Sequence, residues 1–441
     1  MHAACLLALF LALATLAGCD SGGDPDPPPP PAGPRVAVTV EVDQPVATRG
    51  SMNGFIHSLS ATEPADELVR PLGPRLWRSD LTRAPLDRAL ALGARYQLVL
   101  SDLWGYPAGD WTGRGPPWAD LAGWERFVRR VARRHEDEPL SWDIWNEPDG
   151  PTFWSGGRER FFRTYAVANR ALRDELGDDV EIAGPSVSRY SPRWIDAFLE
   201  HCVTARCRIS ALTWHENLRP DDPLEGIAAH LGDARSRLLA DPRFADLGMR
   251  EIHVNEYVGA ADRYLPGEAL AYLSQLEAGG ADLAALSCWT AEDCGPSALG
   301  GLIAPAEGAP RAVWWAHRWY AEGADARVRS QSSDPAVAVL AAAPAQGEVQ
   351  VLLGHVAPRP AAGDRPVVTI DLALDGLAWN GPARLTIDRL TSSGNVPVRP
   401  GRVEERDLRI EDGLLRLGVP ALGVHEAARL TLSRTSAADG R

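Results

Sequence analysis

From residue 51 onward the chain repeats one plan. Short apolar segments of strand length end in polar or aromatic residues, and longer stretches between them place apolar residues at three- and four-residue spacing. The strand-like segments are Met52–His57, Arg75–Asp80, Tyr96–Trp104, Leu140–Glu147, Val180–Ser186, Ala211–His215, Glu251–Tyr257 and Ala284–Trp289. The clearest helical stretch is Trp118–His135, where Leu121, Trp124, Phe127, Val128 and Val131 recur on one face. Arg158–Leu176, Pro192–His201, Pro223–Leu239, Pro266–Ala278 and Arg311–Glu322 read similarly, several with Pro in the first turn, where no hydrogen bond is lost. Strand and helix repeated eight times across residues 51–324 predict an α/β protein built on a (β/α)8 barrel, a TIM barrel. A doubly wound open sheet is the competing plan. It would carry a Gly-rich phosphate loop after its first strand, and Met52–His57 is followed by none.

After residue 324 the helical spacing stops. Val337–Ala342, Glu348–His355, Pro366–Leu374, Ala383–Leu390, Leu408–Glu411, Leu414–Val419 and Ala427–Ser433 alternate with period two between Gly, Pro and Asp, which predicts a C-terminal β-sandwich over residues 325–435. Val36–Val42 alternates in the same way but has no place in the barrel. Residues 35–50 are therefore expected to add a strand to the sandwich, and residues 436–441 to form a frayed tail.

Residues 1–18 carry a short apolar run at the N-terminus, the pattern of a signal peptide. The run ends in Leu16-Ala17-Gly18-Cys19, which resembles a bacterial lipobox and implies cleavage before Cys19 and lipidation of it, although only His2 stands where a basic residue is usual. Residues 19–34 form a Pro-rich linker, stiffened by Pro27–Pro31. The expectation is a lipoprotein of the bacterial cell envelope, periplasmic or surface-exposed, touching the membrane only through its anchor. In an oxidising compartment the close spacings pair Cys202 with Cys207 and Cys288 with Cys294.

Composition narrows the chemistry. The net charge of −14 argues against a nucleic-acid partner. All 45 basic side chains are Arg, so Schiff-base and pyridoxal-phosphate catalysis, which need a Lys amine, are excluded. What remains is the set of side chains at the strand C-termini, where a barrel of this kind builds its site. Glu147, preceded by Asn146, stands at the end of the fourth strand, and Glu256 at the end of the seventh. His57, Arg78, Trp104, His215 and Trp289 end other strands. Two carboxylates across one mouth suit a retaining glycosidase, and the aromatic side chains suit sugar rings. Glu216 follows His215 and places a third carboxylate near the mouth; alternation from His215 suggests an outward side chain, and an inward one would reopen the roles of the pair.

Trp145-Asn146-Glu147-Pro148 resembles the acid/base motif of the clan A glycoside hydrolases, and Glu256 falls where those enzymes keep their nucleophile. The barrel-plus-sandwich order is similar to the β-xylosidase/α-L-iduronidase family of that clan. The resemblance implies Glu147 as general acid/base, Glu256 as nucleophile, Asn146 on the sugar 2-hydroxyl, Arg78 as the cation that keeps the nucleophile ionised, His215 beside the nucleophile and Trp289 as the floor of the sugar subsite. His57 and Trp104 join this substrate-binding set. Asn255 departs from the family, which often has Thr or Ser there. No cofactor and no metal are called for, and the expected partner is an oligo- or polysaccharide. A non-catalytic carbohydrate-binding or polysaccharide-assembly lipoprotein is the competing reading. A metal-dependent hydrolase would want clustered His at a strand end, and the first strand offers only His57.

Overall fold

The computed structural model describes residues 33–80, 85–101, 116–359 and 367–435. Eight parallel strands close into a barrel: β2 (Gly54–Ile56), β3 (Leu76–Ser79), β4 (Arg95–Leu100), β5 (Leu140–Ile144), β6 (Glu181–Val187), β7 (Ala211–Glu216), β8 (Glu251–Tyr257) and β9 (Leu283–Leu286). Phe55 of β2 pairs with Leu286 of β9 and closes the ring. Each strand leads to a helix: α1 (Asp66–Val69), α2 (Leu86–Ala91), α3 (Leu121–Arg134), α4 (Arg158–Leu176), α5 (Pro192–Ala205), α6 (Gly226–Ala234), α7 (Pro266–Gly279) and α8 (Ala312–Glu322). A short antiparallel pair, β10 (Ile303–Ala304) and β11 (Ala309–Pro310), precedes α8.

Helix α3 shows why these segments fold as they do. Asp120 caps it by accepting from the Gly123 amide at 2.8 Å, and Arg133 and Arg134 complement the negative end of its dipole. Its stripe of Trp124, Phe127, Val128 and Val131 is buried in the barrel core. The expected helix Pro223–Leu239 is shorter, since α6 covers only Gly226–Ala234 and a single π-type turn follows. Helices α1 and α2, of 4 and 6 residues, are too short to show a period in the sequence.

The remaining strands form a second body. They are β1 (Arg35–Pro45), β12 (Arg327–Ser332), β13 (Val337–Ala342), β14 (Glu348–His355), β15 (Val367–Asp375), β16 (Gly381–Leu390), β17 (Gly401–Ile410), β18 (Leu415–Gly423) and β19 (Ala427–Arg434). They are hydrogen-bonded in the order β17-β16-β19-β14-β13-β12-β1-β15-β18. The ladder is thus one continuous sheet, not two separate ones. It doubles over so that Ile370 and Leu372 of β15 and Leu385 and Ile387 of β16 share one apolar core. Strand β1 runs antiparallel to β12 and parallel to β15, and it buries Val36, Val38 and Val40.

Helix α7 packs on β13 and β14, joining barrel to sheet. Gly267 and Gly354 make the contact possible: a Cβ on Gly267 would lie 2.4 Å from the His355 carbonyl oxygen, and one on Gly354 2.5 Å from that of Gly267. Beside them the His425 ring bonds the fully buried Glu268 carboxylate. That bond lifts the His425 pKa above its ordinary value, against the opposing effect of burial. A raised histidine pKa stabilises the fold below its unfolded value of about 6.5, and the contribution is lost as pH rises through the folded pKa. His425→Asn, chosen because Asn tolerates the left-handed backbone there (φ 68°), is expected to lower the melting temperature more at pH 5.5 than at pH 8.5. Equal losses at both pH values would assign the bond no charge.

The cysteines divide. Cys288 and Cys294 form a disulfide across the loop after β9. Cys202 and Cys207, expected to pair, are instead two buried free thiols. Cys202 lies in the last turn of α5, and the Cys207 amide closes that turn by donating to the Cys202 carbonyl at 2.9 Å. The left-handed Arg206 between them turns the chain, and the Cys207 thiol serves Cys202 as a hydrogen-bond partner. Burial pushes the Cys202 thiol well above its ordinary pKa. Cys19 lies outside the described residues.

Candidate active site

Strand β5 ends at Ile144, but its chain keeps both neighbours for three more residues. The Trp145 amide donates to Leu100 at 3.1 Å and the Glu147 amide to Ser186 at 2.9 Å. Trp145 (φ 82°) and Glu147 (φ 44°) take left-handed backbone, a strained conformation, on either side of Asn146; Trp145 packs in the core while Asn146 and Glu147 reach the site. His57, Ser58, Ser186 and Val258, also at strand ends, have positive φ too.

Five predicted residues meet at one point. Arg78 of β3 is buried and spends its guanidinium on three acceptors: Nε on Asp143 Oδ2 (2.8 Å), one terminal nitrogen on Glu256 Oε1 (2.7 Å) and the other on Asn146 Oδ1 (2.8 Å). His215 of β7 is fully buried. Its Nδ1 lies 3.0 Å from Glu147 Oε1 and 3.7 Å from Glu256 Oε2, so it sits closer to the expected acid than to the expected nucleophile. Burial pushes the Glu256 pKa up. The charges of His215 and Arg78, a bond from Asn217 and the charge of His57 outweigh it, and the net shift is downward. Glu256 is therefore ionised at neutral pH, as an attacking carboxylate must be.

The other predicted positions differ. His57 follows β2 and is held by neighbouring residues of β3, its Nδ1 2.8 Å from Ser79 Oγ and its carbonyl accepting from Trp77 Nε1. Trp289 lies beyond the end of β9, next to the bridged Cys288. It is 40% exposed, and its Nε1 anchors it to the Val258 carbonyl at 3.0 Å. An exposed indole held at its edge leaves a ring face for a sugar. Trp289→Ala is expected to raise KM about tenfold with a smaller effect on kcat, the mark of binding shared by ground and transition states. An unchanged KM in steady-state assays would remove Trp289 from the subsite. Trp104 lies outside the described residues. Glu216 is buried but faces away from the mouth, accepting from Trp214 Nε1 (2.6 Å) with the His230 ring nitrogen 2.9 Å away. It forms no third mouth carboxylate.

The structure adds contacts that the sequence did not reveal. Asn217 donates to Glu256 Oε2 at 3.2 Å, and Ser287 Oγ fixes the amide by donating to its Oδ1 at 2.6 Å. Asp143, Ser186 and Asn255 form a buried layer below Arg78. Strand alternation did offer a signal for Asp143. Its neighbours Trp142 and Ile144 pack outward into the helices, so Asp143 points into the barrel and needs a cation.

Oxygens of Glu147 and Glu256 and a His215 nitrogen lie within 4.8 Å of one another, close enough to converge on a metal ion. However, both Glu256 oxygens already accept hydrogen bonds, and Arg78 brings positive charge to the same place. That arrangement suits a carboxylate kept free and ionised.

Fold and site together define a class: an eight-stranded parallel barrel with two converging mouth carboxylates and an appended β-sheet. The comparisons agree. Residues 114–223 match the family described as glycosyl hydrolases family 39. A β-xylosidase from Geobacillus stearothermophilus is 26% identical over 113 residues, which make up 24% of this chain and 22% of that relative. Among solved structures, N2152 from Neocallimastix frontalis superposes with a TM-score of 0.73 at 19% identity, over 91% of this chain and all of that one. A monomeric β-xylosidase from Caulobacter crescentus gives 0.67 at 14% identity, over 91% of this chain and all of that one. The segment around Glu147 is thus similar to family 39, on a fold shared with these structures over about nine-tenths of the chain (91%).

Proposed function

We propose that this protein is a retaining glycoside hydrolase acting on an oligo- or polysaccharide by double displacement. The observation that carries the reading is the pair Glu147 and Glu256, with oxygens within 4.8 Å and unlike surroundings. Retaining enzymes hold their carboxylates about 5–5.5 Å apart, whereas inverting ones leave room for water at about 6.5–9.5 Å. Glu256, ionised beside Arg78, attacks the anomeric carbon. Glu147 protonates the departing oxygen and later takes the proton from the incoming water. Arg78 accepts nothing and binds Asn146 through its oxygen, which leaves the Asn146 amide N–H free to donate to the sugar 2-hydroxyl.

The test is intact mass and peptide mapping after incubation with a panel of 2-deoxy-2-fluoro glycosyl fluorides. The named relatives place the β-xylosyl probe first. A single glycosyl adduct on Glu256 is expected, and an adduct on Glu216 or another carboxylate would overturn the assignment. We further propose that the protein is lipid-anchored through Cys19 in a bacterial envelope. Palmitate labelling that is lost in Cys19→Ala supports the anchor, and labelling that persists contradicts it.

A further inference from the structure

Asp143 is fully buried inside the barrel, one layer below the site, and does not reach the mouth. Its Oδ2 accepts from Arg78 Nε (2.8 Å) and Asn255 Nδ2 (3.1 Å), and its Oδ1 from Ser186 Oγ (2.6 Å). Arg78 therefore stands between two carboxylates. A guanidinium prefers to grip a carboxylate with two parallel bonds, and such a grip is the stronger one. Here Glu256 receives one bond only, because Nε is turned to Asp143 and the far terminal nitrogen to Asn146. A nucleophile held by a full two-bond ion pair would be ionised but poorly basic, and its lone pair would be spent on the cation.

We propose that Asp143 is a positioning residue that competes with Glu256 for Arg78, limiting the guanidinium to one bond on the nucleophile and aiming its other end at Asn146. The inference rests on the retaining reading above. The charged and polar groups that face Glu256 are Arg78 from β3, Glu147 beyond β5, His215 and Asn217 from β7 and the end of β7, and His57 beyond β2. Asp143 meets Glu256 only through Arg78, so its effect on the nucleophile is separable from theirs.

Two variants test this. In Asp143→Asn each pairing can persist with the Ser186 bond reversed: the amide oxygen faces Arg78 and Asn255, the amide nitrogen donates to Ser186 Oγ, and the Ser186 hydroxyl, which now donates to Asp143, turns to Thr213 Oγ1, 2.8 Å away. The charge is lost and one amide N–H is added, and Arg78 then bears more fully on Glu256. In Asp143→Ala the guanidinium is also free to close on Glu256 with two bonds and to release Asn146. Both are measured in the full chain by the pH dependence of kcat/KM, by the kcat/KM ratio for a 2-hydroxy over a 2-deoxy glycoside, and by the carbon-13 carboxyl titration of Glu256, assigned through its loss in Glu256→Gln.

The expected result for Asp143→Asn is a shift of about half to one pH unit downward in the acid limb and in the Glu256 titration. Asp143→Ala is expected to shift in the same direction and to lose about tenfold in the 2-hydroxy preference. A Glu256 titration unchanged in Asp143→Asn, or a 2-hydroxy preference retained in folded Asp143→Ala, would overturn the proposal and leave Asp143 a structural residue. If Asp143→Ala does not fold, Asp143→Asn decides alone. If the wild-type chain turns over no glycoside, the retaining reading fails, while the carboxyl titration still decides the role of Asp143.

Discussion

Glu147→Ala and Glu256→Ala are each expected to lose turnover of unactivated glycosides by about 10⁴-fold or more, and to fail in different ways. Without Glu147 there is no proton for the departing oxygen. A substrate with a good leaving group needs none, so Glu256 still attacks and the glycosyl-enzyme accumulates as a burst. Its hydrolysis is slow because no base activates water. Azide, which needs no base, enters the space left by the side chain and releases a glycosyl azide of retained configuration. Without Glu256 no intermediate forms with any leaving group, and azide attacks the sugar directly to give the inverted product. Burst kinetics and the anomeric configuration of the azide distinguish the two variants. A burst in Glu256→Ala, or an inverted azide from Glu147→Ala, would exchange the roles assigned here.

The second large effect lies at Arg78. Its side chain is almost completely buried and joins two carboxylates and Asn146. Arg78→Ala leaves Asp143 and Glu256 without their cation, and breaking a buried pair by removing one partner costs about 3–5 kcal/mol. Activity is expected to fall at least about 10²-fold, with the acid limb of kcat/KM moving up in pH. The sign follows from Glu256, which folding holds below its ordinary pKa. A lowered carboxylate pKa stabilises the fold above the unfolded value of about 4.3, and the contribution is lost as pH falls through the folded value. The stability gap between wild type and Arg78→Ala is thus widest near neutrality and narrows as the pH falls below about 4. Denaturant melts at pH 7 and pH 3.5 measure it. A gap that widens in acid would mean that the carboxylates near Arg78 are protonated in the native state.

These effects differ in how far they could be read before the fold was known. The barrel was legible because each unit repeats one contrast, a short apolar strand against a helix with a 3.6-residue stripe such as Trp124–Val131 in α3. Glu147, Glu256, Asn146, Arg78 and His215 were legible because they sit next to strand ends, where register fixes the direction of the side chain. The Arg78–Asp143 bond joins residues 65 positions apart through the barrel interior, and no local spacing encodes it. Asn217 was obscured by a register shift between β7 and β8, where Trp214 pairs with Val254 and His215 with Glu256. Strand β17 was read only at its end because Gly401–Ile410 is an exposed edge strand, rich in charge and without apolar alternation. The pairing of Cys202 with Cys207 failed for another reason. Nearness in sequence brings two thiols together but does not set the side-chain geometry a bridge requires, and here the helix end sets it.

If Glu147 and Glu256 act on one bond in opposite roles with a covalent intermediate between them, two inversions occur and the first sugar released keeps its configuration. Proton NMR of that sugar, recorded before mutarotation from a glycoside that the labelling panel identifies, reads the configuration. The expected product is a hemiacetal with the anomeric configuration of the substrate. An inverted anomer would mean that water attacks directly, and the double displacement assigned to Glu256 would be wrong.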